Sequence, residues 1–434
     1  MNFKLDKEIL RLAVPNIISN ISVPLLSTVD TILMGNLSSL HLAAIGLGSM
    51  IFNIVYWNFG FLRMGTTGMT AQAYGADNKP NMWMSLIRSG LLSILIASIL
   101  LLLQVFIYKG ALLALNASDS TSGIVLEYFN VRIWAAPATL LLMVLMGWFF
   151  GMQNSIYPLI LTVIINIANI GLSYYFVVIK GLEAAGVAWG TVLAQYIGVF
   201  VGLFMIGYKY KDIISWKIKG HVLEITAFKA FLRVNTDLFI RTVFLTFVFG
   251  FFYSQSSKIS DTLLAVNVVL MQFVNWMSYG IDGFAYASEA LVGKYKGAKN
   301  KIDLVEVIKK SFIWGGAVSL LYSAVYFLFP KALFQIFSDD PNLLEFGASL
   351  LKYMVLFPIL AFASYIWDGV FVGLTATRSM RNAMFFALAS FLILFYILPR
   401  DEYGSHIWIA MLSFMVARAF FQWIYWKKYG VEME

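Results

Sequence analysis

The stretch YGADNK at residues 74–79 returns as KGAKNK at residues 296–301, about 222 positions further along the chain. Further pairs share this offset and stand in apolar sequence: LAA at 42–44 with LAV at 264–266, and Gly147 and Gly151 with Gly369 and Gly373. A chain that repeats itself in this way is predicted to fold as two homologous halves. In membrane proteins, halves of this kind typically enclose a central transport site.

The composition predicts that the chain lies in a membrane. Of the 434 residues, 60% are hydrophobic and 12% are charged, and the mean hydropathy is +0.79. A chain of this composition is far too apolar for a soluble globular protein, so membrane lipid is an expected partner. The net charge is +8, but the basic residues stand in short loops between apolar runs. Nucleic acid, which requires basic residues gathered on one exposed face, is therefore not an expected partner.

About twelve apolar segments are long enough to cross the hydrocarbon layer as helices. They cover residues 10–34, 41–65, 85–108, 129–150, 157–179, 185–207, 238–253, 263–285, 312–329, 349–371, 383–398 and 406–426. The predicted fold class is an all-α integral membrane protein. The predicted domains are an N-lobe over residues 1–207, a cytoplasmic linker over 208–237 and a C-lobe over 238–434.

The loops predict the orientation of the chain in the membrane. Lys and Arg residues favour the cytoplasmic side, and an N-terminus inside the cell places them there by roughly four to one. Both termini are therefore predicted to be cytoplasmic. Residues 1–11 carry charges but no small-residue cleavage site, so the first span is interpreted as a retained helix.

Residue types that carry metal or enzyme chemistry are scarce. The chain has no cysteine, which excludes disulfides and thiolate metal sites. Its three histidines are scattered without metal-binding spacing. We find no nucleophile or metal constellation of an intramembrane enzyme. The expectation is a protein that is not an enzyme, needs no cofactor and holds no transition metal.

Asp30 is the most informative ionisable residue inside a span. It stands between VPLL at 23–26 and ILM at 32–34, so no polar neighbours connect it to water. An ionised side chain at mid-helix costs at least ~2.5 kcal/mol. We expect Asp30 to face the bundle interior, where it can exchange a proton or hold a small cation. The structural alternative is a carboxylate near the outer interface that snorkels or caps a helix end.

The same span has features of a conformational switch. Pro15 and Pro24 each lack a backbone donor, so the helix can bend at both. Pro24 leaves the carbonyl of Asn20 without its usual helical partner. The alternative is that the prolines only shape packing, which membrane helices tolerate.

Four further ionisable residues in the spans or at their ends form a second candidate site, namely Arg63, Asp282, Glu289 and Asp368. Asp282 and Glu289 are seven residues apart and share a helix face. The four are expected to form a buried network that holds the lobes in register or relays protons, or Asp368 binds a second cation.

Two other patterns are interpreted as structural. Asp237 and Arg241 have the spacing of an ion pair within one helix. The glycine pairs at the repeat offset have the small-x3-small spacing that lets helices approach closely.

Several stretches, in order along the chain, resemble one known family. They are SVPLL at 22–26, VDT at 29–31, LRM at 62–64, TTG at 66–68, TAQA at 70–73, DGFAYA at 282–287, DG at 368–369 and MRN at 380–382. Over essentially its whole length the chain resembles the multidrug and toxic compound extrusion (MATE) transporters, and it looks most like their DinF branch. The resemblance implies twelve helices in two six-helix lobes that form a V-shaped cleft. It also implies a monomer in the bacterial inner membrane that exports small organic compounds in exchange for protons or sodium ions.

The resemblance further implies that Asp30 is the coupling acid of the N-lobe. The family positions that join this acid match Asn169, Ser173 and Thr191. Where some members have a second aspartate, this chain has Ser173. One acid with neutral partners favours a single proton over a tightly held sodium ion, although sodium at Asp30 or Asp368 remains open.

A rival interpretation is a flippase for lipids or lipid-linked oligosaccharides, which shares the duplicated bundle. Such a protein is expected to carry several cations facing its cleft, and this chain offers mainly Arg63. Antiport is therefore the preferred function.

Overall fold

The computed structural model describes residues 3–35, 38–115, 119–214, 225–338 and 340–432. Within these ranges the side chains of residues 23–35, 39, 114–115, 119–120 and 225–227 are not described. The backbones of Pro24 and Asp30 are therefore described as part of the first helix, while their side chains lie outside the described residues. Residues 215–224 of the predicted linker also lie outside them.

Seventeen α-helices occupy the described ranges, which contain no strand. The first nine are α1 (Phe3–Gly35), α2 (Ser39–Trp57), α3 (Phe61–Gly75), α4 (Lys79–Leu102), α5 (Gln104–Leu115), α6 (Asp119–Arg132), α7 (Ala136–Gly151), α8 (Ile156–Tyr174) and α9 (Glu183–Lys209). The remainder are α10 (Ile225–Ile259), α11 (Asp261–Gly297), α12 (Lys301–Leu328), α13 (Pro330–Gln335), α14 (Pro341–Ala348), α15 (Leu351–Gly373), α16 (Thr377–Ile397) and α17 (Ser405–Tyr429). The all-α prediction is confirmed.

Eleven segments of the described residues are long and apolar enough to cross a membrane. They coincide with the second to the twelfth predicted spans. The first predicted span lies in α1, whose 33 residues extend about 50 Å at 1.5 Å per residue. This helix passes through Pro15 and Pro24 without ending.

The duplicated sequence folds into duplicated local structure. In the YGADNK loop, Asp77 has φ 50° and the Asn78 side chain caps α4 by accepting a backbone N–H of the first turn. At the repeat offset, Lys299 has φ 57° and Asn300 caps α12 in the same way. A positive φ is uncommon outside glycine. Its recurrence at matching positions shows that the repeat is structural.

The glycine pairs mark close helix contacts that both copies of the repeat share. A Cβ atom added to any of the four would lie within 3.0 Å of atoms in the neighbouring helix. The contacted residues are related by the same offset: Gly147 faces Arg63, Gly369 faces Ala285, Gly151 faces Thr67, and Gly373 faces Glu289. Glycine thus lets α7 pack on α3 and α15 on α11, which confirms the packing role predicted for these residues.

Packing divides the chain into two units. The N-unit is Ile18–Leu232, and the C-unit combines Met1–Ile17 with Arg233–Glu434. Helix α1 therefore contributes to both units. The predicted lobes at 1–207 and 238–434 assign all of α1 to the first lobe and remain a prediction. The last part of the predicted linker is helical, because α10 begins at Ile225.

The start of α1 is anchored in the C-unit by two acids, Asp6 and Glu8. Asp6 accepts hydrogen bonds from Lys310 Nζ at 2.5 Å and from Trp314 Nε1 at 3.1 Å. Glu8 accepts one from Lys294 Nζ at 2.8 Å. These contacts join α1 to α11 and α12, and we call the two acids with Lys294 and Lys310 the N-terminal clamp.

Candidate functional site

A stripe of polar side chains follows one face of α8 in the N-unit. Thr162, Asn166, Asn169 and Ser173 are three or four residues apart, which places them on the same side of the helix. Thr162, Asn169 and Ser173 are buried, and the last two have no solvent-exposed surface. An apolar membrane helix with a buried polar stripe is expected to face other polar groups.

The part of α1 that belongs to the N-unit contacts this stripe. Ser19 Oγ and Thr162 Oγ1 are 2.8 Å apart, and Asn166 Nδ2 donates a hydrogen bond of 3.2 Å to the carbonyl of Ser22. The second contact lies nearer the C-terminus than the first on both helices. The two helices therefore run side by side in the same direction.

Further along the stripe, α8 meets α9. Asn169 Nδ2 donates to Thr191 Oγ1 at 2.9 Å, and Thr191 in turn donates to the carbonyl of Val187 at 3.0 Å. Within the described ranges, Asn169 Oδ1 and Ser173 Oγ are buried and have no hydrogen-bond partner. Buried polar atoms of this kind are rare in folded proteins and usually have a reason.

Ser173 lies where Gly190 allows α9 to approach α8 closely. A Cβ atom on Gly190 would be 2.7 Å from the backbone nitrogen of Ser173. Two residues later the helix widens into a π-helical turn at Tyr175–Ile179, a feature that often accompanies functional sites. The structure thus brings together Asn169, Ser173 and Thr191, and the side chain of Asp30 lies outside the described residues.

A second buried polar group, the Asp368 cluster, lies in the C-unit. Arg241 of α10 and Arg418 of α17 both donate to Asp368 Oδ2 on α15. Gln422 Nε2, one turn beyond Arg418, donates to Asp368 Oδ1 at 2.8 Å. All four side chains are buried, so one carboxylate connects three helices.

The charges in this cluster favour a structural role. Two guanidinium groups already contact one oxygen of Asp368, and Arg418 also lies 5.5 Å from the centre of the Tyr365 ring. A sodium ion bound there would be placed beside two positive charges, which repel it strongly in a buried site. The geometry therefore argues against Asp368 as a second cation site.

One predicted ion pair is wrong. Arg241 pairs with Asp368, whereas Asp237 accepts a hydrogen bond of 2.5 Å from Arg381 Nη1 and another of 3.3 Å from Thr377 Oγ1. Arg241 thus has its partner on α15, and Asp237 has its partners on α16. Contacts between helices thus replace the pairing within α10.

The network of Arg63, Asp282 and Glu289 with Asp368 stays a prediction, although none of the three donates a hydrogen bond to Asp368 within the described ranges. The hydrogen-bond partners of Asp368 are Arg241, Arg418 and Gln422 instead. Asp282 is close enough to Arg241 to interact electrostatically, and Glu289 is buried on α11. Arg63 lies on α3 of the N-unit, where its backbone packs under Gly147.

Sequence reasoning assigned no partner role at Asp368 to Arg241, Arg418 or Gln422. The signal for the last two was present, because Arg418 and Gln422 are one turn apart on a single face of an apolar segment. It also missed Thr162 and Asn166, which the spacing of the polar stripe on α8 would have revealed.

Duplicated membrane-spanning halves and polar groups buried among apolar helices are features of secondary transporters. Comparison with known families agrees, since the MatE family model matches the chain twice, over residues 15–175 and 238–398. The chain belongs to the MatE family, the multidrug and toxic compound extrusion transporters. Family membership confirms the predicted resemblance and the expectation of a transporter rather than an enzyme. Transporters of this family need no cofactor and bind small organic substrates.

Individual relatives place the chain near the DinF branch. It is 33% identical to DNA damage-inducible protein F of Escherichia coli over 431 residues, which cover 98% of the chain and 92% of that protein. It is 24% identical over 374 residues to a probable multidrug resistance protein NorM of Thermotoga maritima, with 82% and 77% covered.

Solved structures share the fold. A mutant of the Vibrio cholerae MATE transporter VcmN superposes with a TM-score of 0.86 at 16% identity, covering 99% of both chains. An outward-facing MATE family transporter of the MOP superfamily gives a TM-score of 0.84 at 19% identity, covering 96% of this chain and 95% of that one.

Proposed function

We propose that the chain is a secondary antiporter of the bacterial inner membrane that exports organic compounds in exchange for protons. In this proposal both termini are cytoplasmic, and Asp30 is the coupling acid, with Asn169, Ser173 and Thr191 as its partners. The single observation that carries the proposal is the pair of buried polar atoms, Asn169 Oδ1 and Ser173 Oγ, that have no partner among the described residues.

The register of α1 against α8 supports this assignment. Ser22 contacts Asn166, and both helices continue in the same direction. Asp30 is eight residues beyond Ser22, or about 12 Å, and Ser173 is seven residues beyond Asn166, or about 10 Å. The backbone of Asp30 therefore comes roughly level with Ser173.

The residue types on α8 suit a group that gains and loses one proton. A protonated Asp30 would donate its O–H to Asn169 Oδ1 or Ser173 Oγ, and an ionised Asp30 would accept the O–H of Ser173. Each protonation state thus has a partner, but Asn169 Oδ1 can serve only the protonated acid, and the hydrogen bond with Ser173 reverses its direction when the proton leaves. Because no second acid stands at position 173, the site offers little anionic oxygen to a sodium ion.

Transport follows if proton and substrate favour different conformations of α1. Protonation of Asp30 removes a buried charge and changes the hydrogen bonds between α1 and α8, which biases the helix towards another bend. We propose Pro15, Pro24 and Asn20 as the positions that permit this bend. A ligand with equal affinity for both states would shift nothing, so substrate release must be linked to proton arrival.

The test is uptake of a fluorescent organic cation into inside-out proteoliposomes under an imposed proton or sodium gradient. The parent chain is compared with Asp30→Asn, and with Asp212→Asn as a control that makes the same chemical change at an exposed position. The proposal expects uptake driven by protons alone, lost in Asp30→Asn and retained in Asp212→Asn.

Two results would contradict it. Uptake driven by sodium would indicate a sodium-coupled antiporter, with a different role for Ser173 or Asp368. Absence of dye movement under both gradients would favour the flippase, for which a fluorescent lipid is the next substrate to measure.

A further inference from the structure

A groove on the C-unit lies between the first turns of α1 and the middle of α12. Its volume is about 630 Å³, within the range of pockets that hold a drug-sized ligand. Phe3 and Leu10 form one wall, and Ile313 and Trp314 form the other. Phe3 is 76% exposed and Ile313 is 67% exposed, so the groove presents an apolar surface to its surroundings.

Three cations line the same groove, namely Lys7, Arg11 and Lys310. Phe3, Lys7 and Leu10 are four and three residues apart, so apolar and basic side chains share one face of α1. Among the described lining residues Asp6 is the single acid. The lining therefore carries an excess of positive charge.

The acid in the groove is already engaged. Asp6 accepts hydrogen bonds from Lys310 and Trp314, and the Trp314 ring also stacks on Phe284 with an interplanar angle of 4°. Trp314 is thus held in place as a rigid wall. Lys7 and Arg11 are both exposed at the mouth of the groove, where an anion can approach them.

We propose that this groove binds an anionic phospholipid. Lys7 and Arg11 would contact the phosphate, and the acyl chain would lie against Ile313 and Leu10. The groove offers cations for the phosphate and apolar side chains for the acyl chain, and its lining residues lie where the first and the ninth predicted spans begin, at residues 10 and 312. Basic pockets between membrane helices on the cytoplasmic side are suited to anionic lipids, and tryptophan is typical of the interface between membrane and water.

Native mass spectrometry of the purified full chain tests the proposal. The probes are phosphatidylglycerol and phosphatidylcholine with identical acyl chains. The parent is expected to retain phosphatidylglycerol preferentially. Lys7→Gln combined with Arg11→Gln is expected to weaken its binding by about tenfold or more. The control is Lys427→Gln with Lys428→Gln, which removes two exposed cations from the last turn of α17 and should leave binding unchanged.

A second variant tests the shape of the groove without changing its charge. Ile313→Trp fills the exposed apolar wall and is also expected to lower phosphatidylglycerol retention. Equal losses in both double variants would overturn the proposal, because they would indicate unspecific attraction to a basic surface. Binding of inorganic phosphate without preference between the two lipids would overturn it as well, since the ligand would then be a free anion.

Discussion

The side-chain amide of Asn169 donates a hydrogen bond of 2.9 Å to Thr191 Oγ1 and so joins α8 to α9 beside Ser173. Thr191→Val keeps the shape of the side chain but removes this acceptor, leaving Asn169 Nδ2 buried without a partner. We expect the variant to lose about 1 kcal/mol of stability, the usual size of such bonds between membrane helices. Thermal unfolding in detergent measures this. Thr191→Ser keeps the hydroxyl and should unfold close to the parent, and equal midpoints for the Val and Ser variants would contradict the expectation.

Gly190 allows α9 to approach the backbone of Ser173. Gly190→Ala would place a Cβ atom 2.7 Å from the Ser173 nitrogen, so the two helices must separate and the buried polar site must open. We expect lower thermal stability and loss of gradient-driven uptake. Gly171→Ala is the matched control, because a Cβ there meets nothing within 4 Å. If both variants transport equally well, close packing at Ser173 is unnecessary.

Asp368 compensates two buried guanidinium groups. Asp368→Asn leaves Arg241 and Arg418 facing each other, and breaking a buried pair in this way typically costs about 3–5 kcal/mol. We expect a strongly lowered unfolding midpoint. Removing one cation as well, in Asp368→Asn with Arg418→Gln, should recover part of the loss. A double variant that is no more stable than Asp368→Asn alone would show that charge compensation is not the reason.

The N-terminal clamp makes stability depend on acid pH. The hydrogen bond from Lys310 holds the pKa of Asp6 below its ordinary value of 3.8. Burial raises the pKa of Glu8, but hydrogen bonds from Lys294 and Tyr295, together with the positive charges of Lys294 and Lys4, bring it below 4.5. A lowered carboxyl pKa stabilises the folded state above the ordinary pKa, and this contribution is lost as the pH falls through the lowered value.

The expected result is therefore a difference in unfolding midpoint between the parent and Asp6→Asn with Glu8→Gln that is full at pH 7 and shrinks below about pH 4. Asp212→Asn, at an exposed position, should show little difference at either pH. A difference between parent and clamp variant that stays constant down to pH 3 would mean that the clamp acts through packing rather than charge.

Much of this fold could be predicted from sequence because its causes are local. Apolar runs of about 20 residues specify membrane helices, and the repeat of YGADNK and KGAKNK reveals the duplication. The close helix contacts at the glycine pairs could also be predicted from their spacing, because only a residue without a side chain allows two helix backbones to approach within this distance.

The buried contacts were harder to predict because they join residues that are distant in the chain. Arg241 has Asp237 one turn away, yet it pairs with Asp368, which is 127 positions further along. Spacing identifies which side chains share a helix face but not which neighbouring helix offers a partner. For the same reason the sequence did not reveal that residues 3–17 pack with the second half of the chain.

The matched loops of the two halves have a consequence for protein engineering. Asp77 and Lys299 share a left-handed backbone although one side chain is acidic and the other basic, and Gln153 and Thr375 form a second such pair, with φ 60° and 52°. The two copies of the repeat share the backbone conformation at these positions, although their side chains differ in charge and polarity. We therefore expect that a swap of residues 74–79 with residues 296–301 changes the charge of each segment and keeps the backbone of each half.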